Sequence, residues 1–263
     1  MPYGVTIFMN SAYKIKKAHF GKRTLAFLLD FICSFFLFVV VENLVMHPIV
    51  NGVFDYDALD HEFETKLVEH GIAHFDKDNR FVYNEMPKEG YDWTSFNEDK
   101  RAVEVKDKLS MMNLFTLTMD FMMSEFIVFC LIPLILKNGQ TLGKKMMKLA
   151  LVSTNEVKVK GWNVFARWAL GIYVFETMIT LFFVVFAVIP VPLILTLITS
   201  VVSKKGMALH DYIGGTIVVD LNNTLIIDTV EERRKRILEE KEAYEIHQKN
   251  KMISQKEVEK EHL

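Results

Sequence analysis

Lys22-Arg-Thr-Leu-Ala-Phe-Leu-Leu-Asp-Phe-Ile-Cys-Ser-Phe-Phe-Leu-Phe-Val-Val-Val-Glu-Asn-Leu-Val-Met46 decides which solvent this chain is built for. At about 1.5 Å per residue, the run from Thr24 to Met46 crosses a hydrocarbon core about 30 Å thick. Two charges interrupt its first half, Arg23 at the entrance and Asp30 two turns inside. A carboxylate in lipid costs roughly 2.5–3.5 kcal/mol, so Asp30 is expected to face protein or water. The residues before it, 1–23, carry Lys14, Lys16, Lys17, Lys22 and Arg23 and no acid. A cleaved leader is a poor fit, because the run is too long, contains Asp30 and lacks a small-x-small site at its end. The stretch reads as a retained anchor over 24–46, with a basic cytoplasmic N-terminus over 1–23 by the positive-inside rule.

The rest of the 263-residue chain repeats this alternation of oil and charge. Half of the residues (51%) are hydrophobic, yet 24% are charged, which suits a membrane protein with sizeable polar pieces. The net charge of −2 hides a segregation. Residues 47–113 hold fifteen acids against eight basic residues, and they read as an acidic extracellular insertion. Asp57–His70 and Trp93–Leu109 have helical spacing there, but so short an aliphatic-poor segment is expected to need the bundle or a partner to form a core. A second span is expected over 114–136. The loop over 137–167 has seven basic residues against Glu156 alone, so it is placed in the cytoplasm. Within it Leu149–Ser153 and Val157–Lys160 suggest a short hairpin, and Leu149–Ser153 is also a pairing partner for the strand-like Gly214–Asp220.

A third span is expected over 168–189. The stretch 190–205, bent at Pro190 and Pro192, falls short of the usual ~17 residues. It is read as a thin fourth span or a re-entrant half-helix that returns the chain to the basic side. A cytoplasmic strand segment (206–227) and a charged helical tail (228–263) complete the chain. The expected fold is therefore an all-α membrane bundle of four transmembrane helices, with a small cytoplasmic β-element, the acidic insertion and the charged tail. Both termini are expected in the cytoplasm.

Several residues carry candidate chemistry. Asp30, Glu125 and Glu176 are acids in apolar runs, and at comparable depth they would converge on one polar cavity opening to the cytoplasm and exchange a proton for a cation. The alternative is that neighbouring Arg, Ser or Tyr neutralise each one and lock helix packing. Glu42 and Asp120, near the outer boundary, are read as snorkelling to the headgroups. Gly139-x-x-x-Gly143-Lys144-Lys145 is one residue short of a phosphate-binding loop and lacks its Ser/Thr. What remains is a turn and a basic cluster, Lys144, Lys145 and Lys148, that either orients the loop or meets lipid headgroups. Asp211, beside His210, is expected to pair with Arg23 or Arg167, whose planar forks suit a carboxylate.

Cys33 and Cys130 both lie in apolar runs, so neither a disulfide scaffold nor a metal ligand set is expected. No nucleophile motif is present, no cofactor is implied, and the basic runs abut spans rather than forming a nucleic-acid patch. An enzyme is therefore not expected.

Four separated signatures resemble the RDD family of bacterial membrane proteins. They are Lys22-Arg23 with Asp30, Gly139-Gln-Thr-Leu-Gly-Lys144, Arg167 before the third span, and Leu209-His-Asp211 with Gly215-Thr216. The family is named for an arginine and two aspartates, here Arg23, Asp30 and Asp211. The resemblance covers 15–46 and 114–221. It implies a polytopic protein of the bacterial cell membrane that acts either as a sodium or other cation/proton exchanger or as a regulator of membrane proteases and quality-control complexes. The implied partners are the phospholipid bilayer, monovalent cations and protons, and a second copy or another membrane protein.

Overall fold

The computed structural model describes residues 15–84, 93–185 and 191–261. The chain is mostly helical, with two small sheets. Among the described residues three helices are long and apolar enough to cross a membrane: α1 (Phe20–Phe54), α4 (Lys100–Ile135) and α6 (Gly161–Phe183). Each begins before the span read from sequence, and α1 also ends beyond it. The fourth apolar helix, α7 (Val191–Val202), has 12 residues, or about 18 Å of rise. The bend expected at Pro190 lies outside the described residues, as do residues 1–14 of the basic leader. The remaining elements are α2 (Tyr56–Glu69), β1 (Ala73–Phe75), β2 (Phe81–Tyr83), α3 (Trp93–Glu98), α5 (Leu142–Met146), β3 (Leu149–Ser153), α8 (Leu209–Gly214), β4 (Thr216–Asp220) and α9 (Val230–Glu261). They fall into two compact units, one made of residues 1–34 and 125–263 and the other of residues 35–124.

The long helices are inside-out by the standard of a soluble protein. Along α1 as far as Val41 the buried positions are Ala26, Asp30, Ser34 and Val41, while Phe27, Leu28, Phe31, Ile32, Phe35 and Phe36 point outward. Small and polar residues let helices approach in lipid, where apolar side chains gain nothing by turning inward. Helix α4 changes from one pattern to the other along its length. Its first turns bury Ala102, Val105 and Leu109 behind charged neighbours, and its later turns bury Thr116, Asp120 and Ser124 behind Leu114 and Phe115. The switch falls where the sequence places the start of the second span.

In the first unit, β3 and β4 pair antiparallel from Leu149 opposite Asp220 to Ser153 opposite Thr216. The hairpin expected with Val157–Lys160 is reduced to a single bridge between Val152 and Lys158, because β4 takes the ladder. Residues near Lys17 add a further contact, with the Ala18 amide donating to the Val218 carbonyl. A two-stranded sheet is marginal alone. Here alternate side chains feed two cores, Leu149, Leu151 and Val218 with Ala18 and Ala26 on one face, and Ala150, Val152, Ile217 and Val219 with Met207 on the other.

The second unit contains a core that the acidic composition did not announce. Leu67, Ile72, Ala73, Phe96 and Ala102 pack together, closed by the β1–β2 hairpin. Asp99 breaks the helical stretch expected over Trp93–Leu109 and caps α4, accepting from the Arg101 and Ala102 amides at 2.8 and 3.2 Å. Those amides, His70 and Lys66 hold its carboxyl well below the usual range. Helix α9 begins in a contact between Arg233 and Glu156 and is otherwise largely exposed.

Close packing of α5 on α1 rests on one glycine. A Cβ on Gly143 would overlap the Ala26 carbonyl oxygen, whereas nothing lies within 4 Å of a Cβ added to Gly52. Gly143→Ala should lower stability by about 1–3 kcal/mol, while Gly52→Ala should leave it unchanged or raise it by up to about 1 kcal/mol. Thermal melts of the detergent-solubilised variants make the comparison, and equal melting points would remove the close approach.

Candidate functional site

Asp211 is the most enclosed charge in the first unit, with none of its side chain exposed. Its Oδ1 accepts from Arg167 Nε at 2.9 Å and from the Thr216 hydroxyl at 3.1 Å. Its Oδ2 accepts from Arg23 at 3.3 Å and from the Ala208 amide at 3.1 Å. The sequence offered Arg23 or Arg167 as the partner, and the structure uses both. Arg23 also donates to the Gly206 carbonyl. Burial by itself would raise the Asp211 carboxyl, but Arg167, His210 and Arg23 together hold it well below the ordinary carboxylate value. Two glycines allow α8 to lie against α6 here. A Cβ on Gly171 would stand 2.7 Å from His210 Cβ, and one on Gly214 would stand 2.6 Å from Arg167 Cβ.

Asp30 turns to α5 rather than to Arg23. It accepts from the Thr141 hydroxyl at 2.5 Å and from the Gly143 amide at 2.7 Å, and so receives the first turn of α5. This accounts for the Gly139–Lys144 motif. Gly139 makes the turn at φ +60°, the Gln140 amide donates to the Leu149 carbonyl at 2.6 Å, and Thr141 and Gly143 grip Asp30. Lys144 is a correction to the headgroup cluster. It is 7% exposed, with its Nζ 3.3 Å from Thr141 Oγ1 and 4.0 Å from Asp30, and only Lys145 and Lys148 face outward. The short α5 turns Lys144 toward α1 because Gly143 beside it has no side chain to hold the helix away. Burial, with Arg167 nearby, pushes the Lys144 amine down to about 8.

Glu176 completes the group. Its Oε1 accepts from the Thr196 hydroxyl of α7 at 2.6 Å and lies 2.7 Å from His210 Nδ1. Arg167 and Glu176 are nine residues apart, about two and a half turns of an α-helix, which would place them on opposite faces. Residues Arg167–Met178 instead wind as a π-helix, whose wider turn buries Arg167, Gly171, Ile172 and Glu176 together. A cavity of about 220 Å³ lies among them, bounded by Arg23, Asp30, Lys144, Arg167, Glu176 and His210 and walled by apolar side chains such as Phe27 and Leu193.

Of the three carboxylates expected to converge, Asp30 and Glu176 line this cavity. Glu125 is buried but absent from the lining. Its Oε1 accepts from the Thr177 hydroxyl at 2.5 Å, and its Oε2 takes no partner. Asp120 is a second correction, because at 1% exposure it is buried rather than snorkelling. Among the described residues no cluster of three or more His, Cys, Asp or Glu is arranged to hold a metal ion. Cys130 is buried and Cys33 is half-buried.

Sequence reasoning missed the threonines. Thr141, Thr177, Thr196 and Thr216 each donate to one of the buried acids. The available signal was their position beside or within apolar stretches, where a hydroxyl has few other uses.

This geometry sets two expectations. Removing either partner of a buried ion pair costs about 3–5 kcal/mol, so Asp211→Asn and Arg167→Gln should each destabilise the protein severely. In a double-mutant cycle their costs should fail to add, and additive losses in thermal melts would separate the two groups. The Lys144 value lies below the ordinary 10.5, so its charged form opposes folding and the opposition fades as pH rises from about 8 toward 10.5. The stability advantage of Lys144→Met over the parent should shrink across that window, and a constant difference would contradict the buried amine.

A sequence model of the RDD family matches residues 17–215, a stretch that includes Arg23, Asp30, Arg167 and Asp211. No curated protein and no solved structure matches the chain. With most of its length matched and its apolar helices of spanning length, the chain belongs to the RDD family of membrane proteins.

Proposed function

We propose that the protein exchanges a monovalent cation, sodium in the first instance, for protons, and that Glu176 and His210 carry the proton. The carrying observation is the 2.7 Å approach of Glu176 Oε1 to His210 Nδ1 at the wall of a cavity that Asp30 also borders. A histidine and a carboxylate at hydrogen-bond distance share a proton and pass it on as their surroundings change. Glu176 would receive a hard cation, with the Asp30 carboxylate at the same cavity wall adding its negative charge. On this reading α7 acts as the fourth span, with Lys204 and Lys205 reaching the interface. Both termini and the loop over 137–167 lie in the cytoplasm of a bacterial cell, as the basic residues of those segments favour. So few spans suit a homo-oligomer better than a single chain, and no enzymatic step is involved.

A second reading is favoured by two features an exchanger does not need, the separate core of the second unit and the 32-residue helix α9. On it the protein is an adaptor or regulator of another membrane protein, such as a protease or a quality-control complex.

Purified protein in liposomes under a sodium gradient tests the first reading. The parent should move protons, and Glu176→Gln and His210→Gln should each slow that movement at least about tenfold, equivalent to about 1.4 kcal/mol. A folded parent that leaves the internal pH unchanged would falsify exchange. The adaptor reading predicts that deleting residues 230–263 changes the co-purifying proteins while the spans keep their melting transition.

A further inference from the structure

In the second unit, Glu42 and Asp120 place two carboxyl groups within hydrogen-bonding reach of each other. Asp120 is 1% exposed, its Oδ1 is buried without a hydrogen-bond partner, and Glu42 Oε2 is in the same state. Glu42 opens a π-turn, Glu42–Met46, midway along α1.

The surroundings offer no counter-charge. Val41, Met46, Met119 and Met123 pack around this level of the two helices. Over residues 56–60 of the facing α2 the titratable groups are Tyr56, whose hydroxyl is given to Asn113 at 2.8 Å, Asp57, which stands 3.5 Å from His47 of α1, and Asp60. Among the described residues no Lys, Arg or His forms an ion pair with Glu42 or Asp120. One turn to either side of Asp120, on the same buried face, Thr116 and Ser124 donate their hydroxyls to the Met112 and Phe121 carbonyls at 2.7 and 3.2 Å. Among the described residues neither hydroxyl oxygen accepts a hydrogen bond.

Two carboxylates in contact in an apolar setting cannot both be anionic without a positive charge between them. The side-chain groups of Glu42, Asp120, Thr116 and Ser124 at this level are all oxygen ligands, the donor set of a proton or a hard cation rather than of a transition metal. We propose that Glu42 and Asp120 form a binding site for a single positive charge, a shared proton that a hard monovalent cation displaces. Cation binding breaks the shared O–H bond, the proton leaves to solvent, and the cation takes its place between the carboxylates. The site concerns occupancy rather than flux and does not rest on the Glu176–His210 reading.

The full chain in detergent, weakly buffered with a pH indicator, tests it by addition of sodium or lithium chloride against choline chloride. Sodium or lithium should release about one proton per chain and choline none, with loss of a protonated-carboxyl C=O band in infrared difference spectra. Asp120→Asn and Glu42→Gln should each abolish the release, while Glu176→Gln should retain it even where exchange is lost. If Asp120→Asn does not fold, Glu42→Gln carries the comparison, since Glu42 is only half-buried. No cation-dependent release from parent protein that keeps its melting transition would overturn the site, as would release that persists in Glu42→Gln.

Discussion

One carboxylate that belongs to two arginines holds the first unit together. Asp211 sits on α8, Arg23 at the start of α1 and Arg167 in α6, so a single buried anion ties two spanning helices to the segment that feeds β4. The arrangement tolerates no partial version. A buried ion costs several kcal/mol in desolvation and is tolerable only when its lone pairs are filled. Asp211 fills them with two guanidinium groups, a backbone amide and a hydroxyl. Such a network adds little net stability against an apolar replacement, but it admits one arrangement of the helices and penalises the others.

Close backbone approach is the second ingredient, and the first requires it. Ion pairs this short need α5 to reach α1 and α8 to reach α6, and glycines at 143, 171 and 214 provide the room. The winding of the spans serves the same end. All three long helices contain π-turns, at Glu42–Met46, Ile127–Leu131 and Arg167–Met178, and two of these hold a buried or half-buried acid. A π-turn shifts the azimuth of every later residue in its helix, so polar side chains that α-helical spacing would send to lipid are returned to protein. The cavity around Asp30, Glu176 and His210 exists because of that shift.

The acids therefore differ in kind. Asp211 and Asp30 have every carboxylate oxygen occupied and act as fasteners. Glu176 meets a histidine at a cavity wall, and among the described residues Asp120 and Glu42 have no side-chain partner but each other. Asp211 and Asp30 fix structure, whereas the roles proposed above for protons and cations fall to the other carboxyls.

Residue order by itself determined the solvent, where the apolar runs fall and the family. Runs of apolar residues fix length across a bilayer, and basic flanks punctuate them. It also named Asp211 as a partner of the arginines, since a buried carboxylate has few other suitors. It did not reveal that Asp30 grips Thr141 and Gly143, that Lys144 is buried, that Glu176 meets His210, or that Asp120 meets Glu42. Spacing along a helix gives depth, but a partner depends on azimuth, and azimuth depends on π-turns and on which glycines let two backbones touch. Those are settled only when the helices pack, because the desolvation of each charge is relieved by groups distant in the chain.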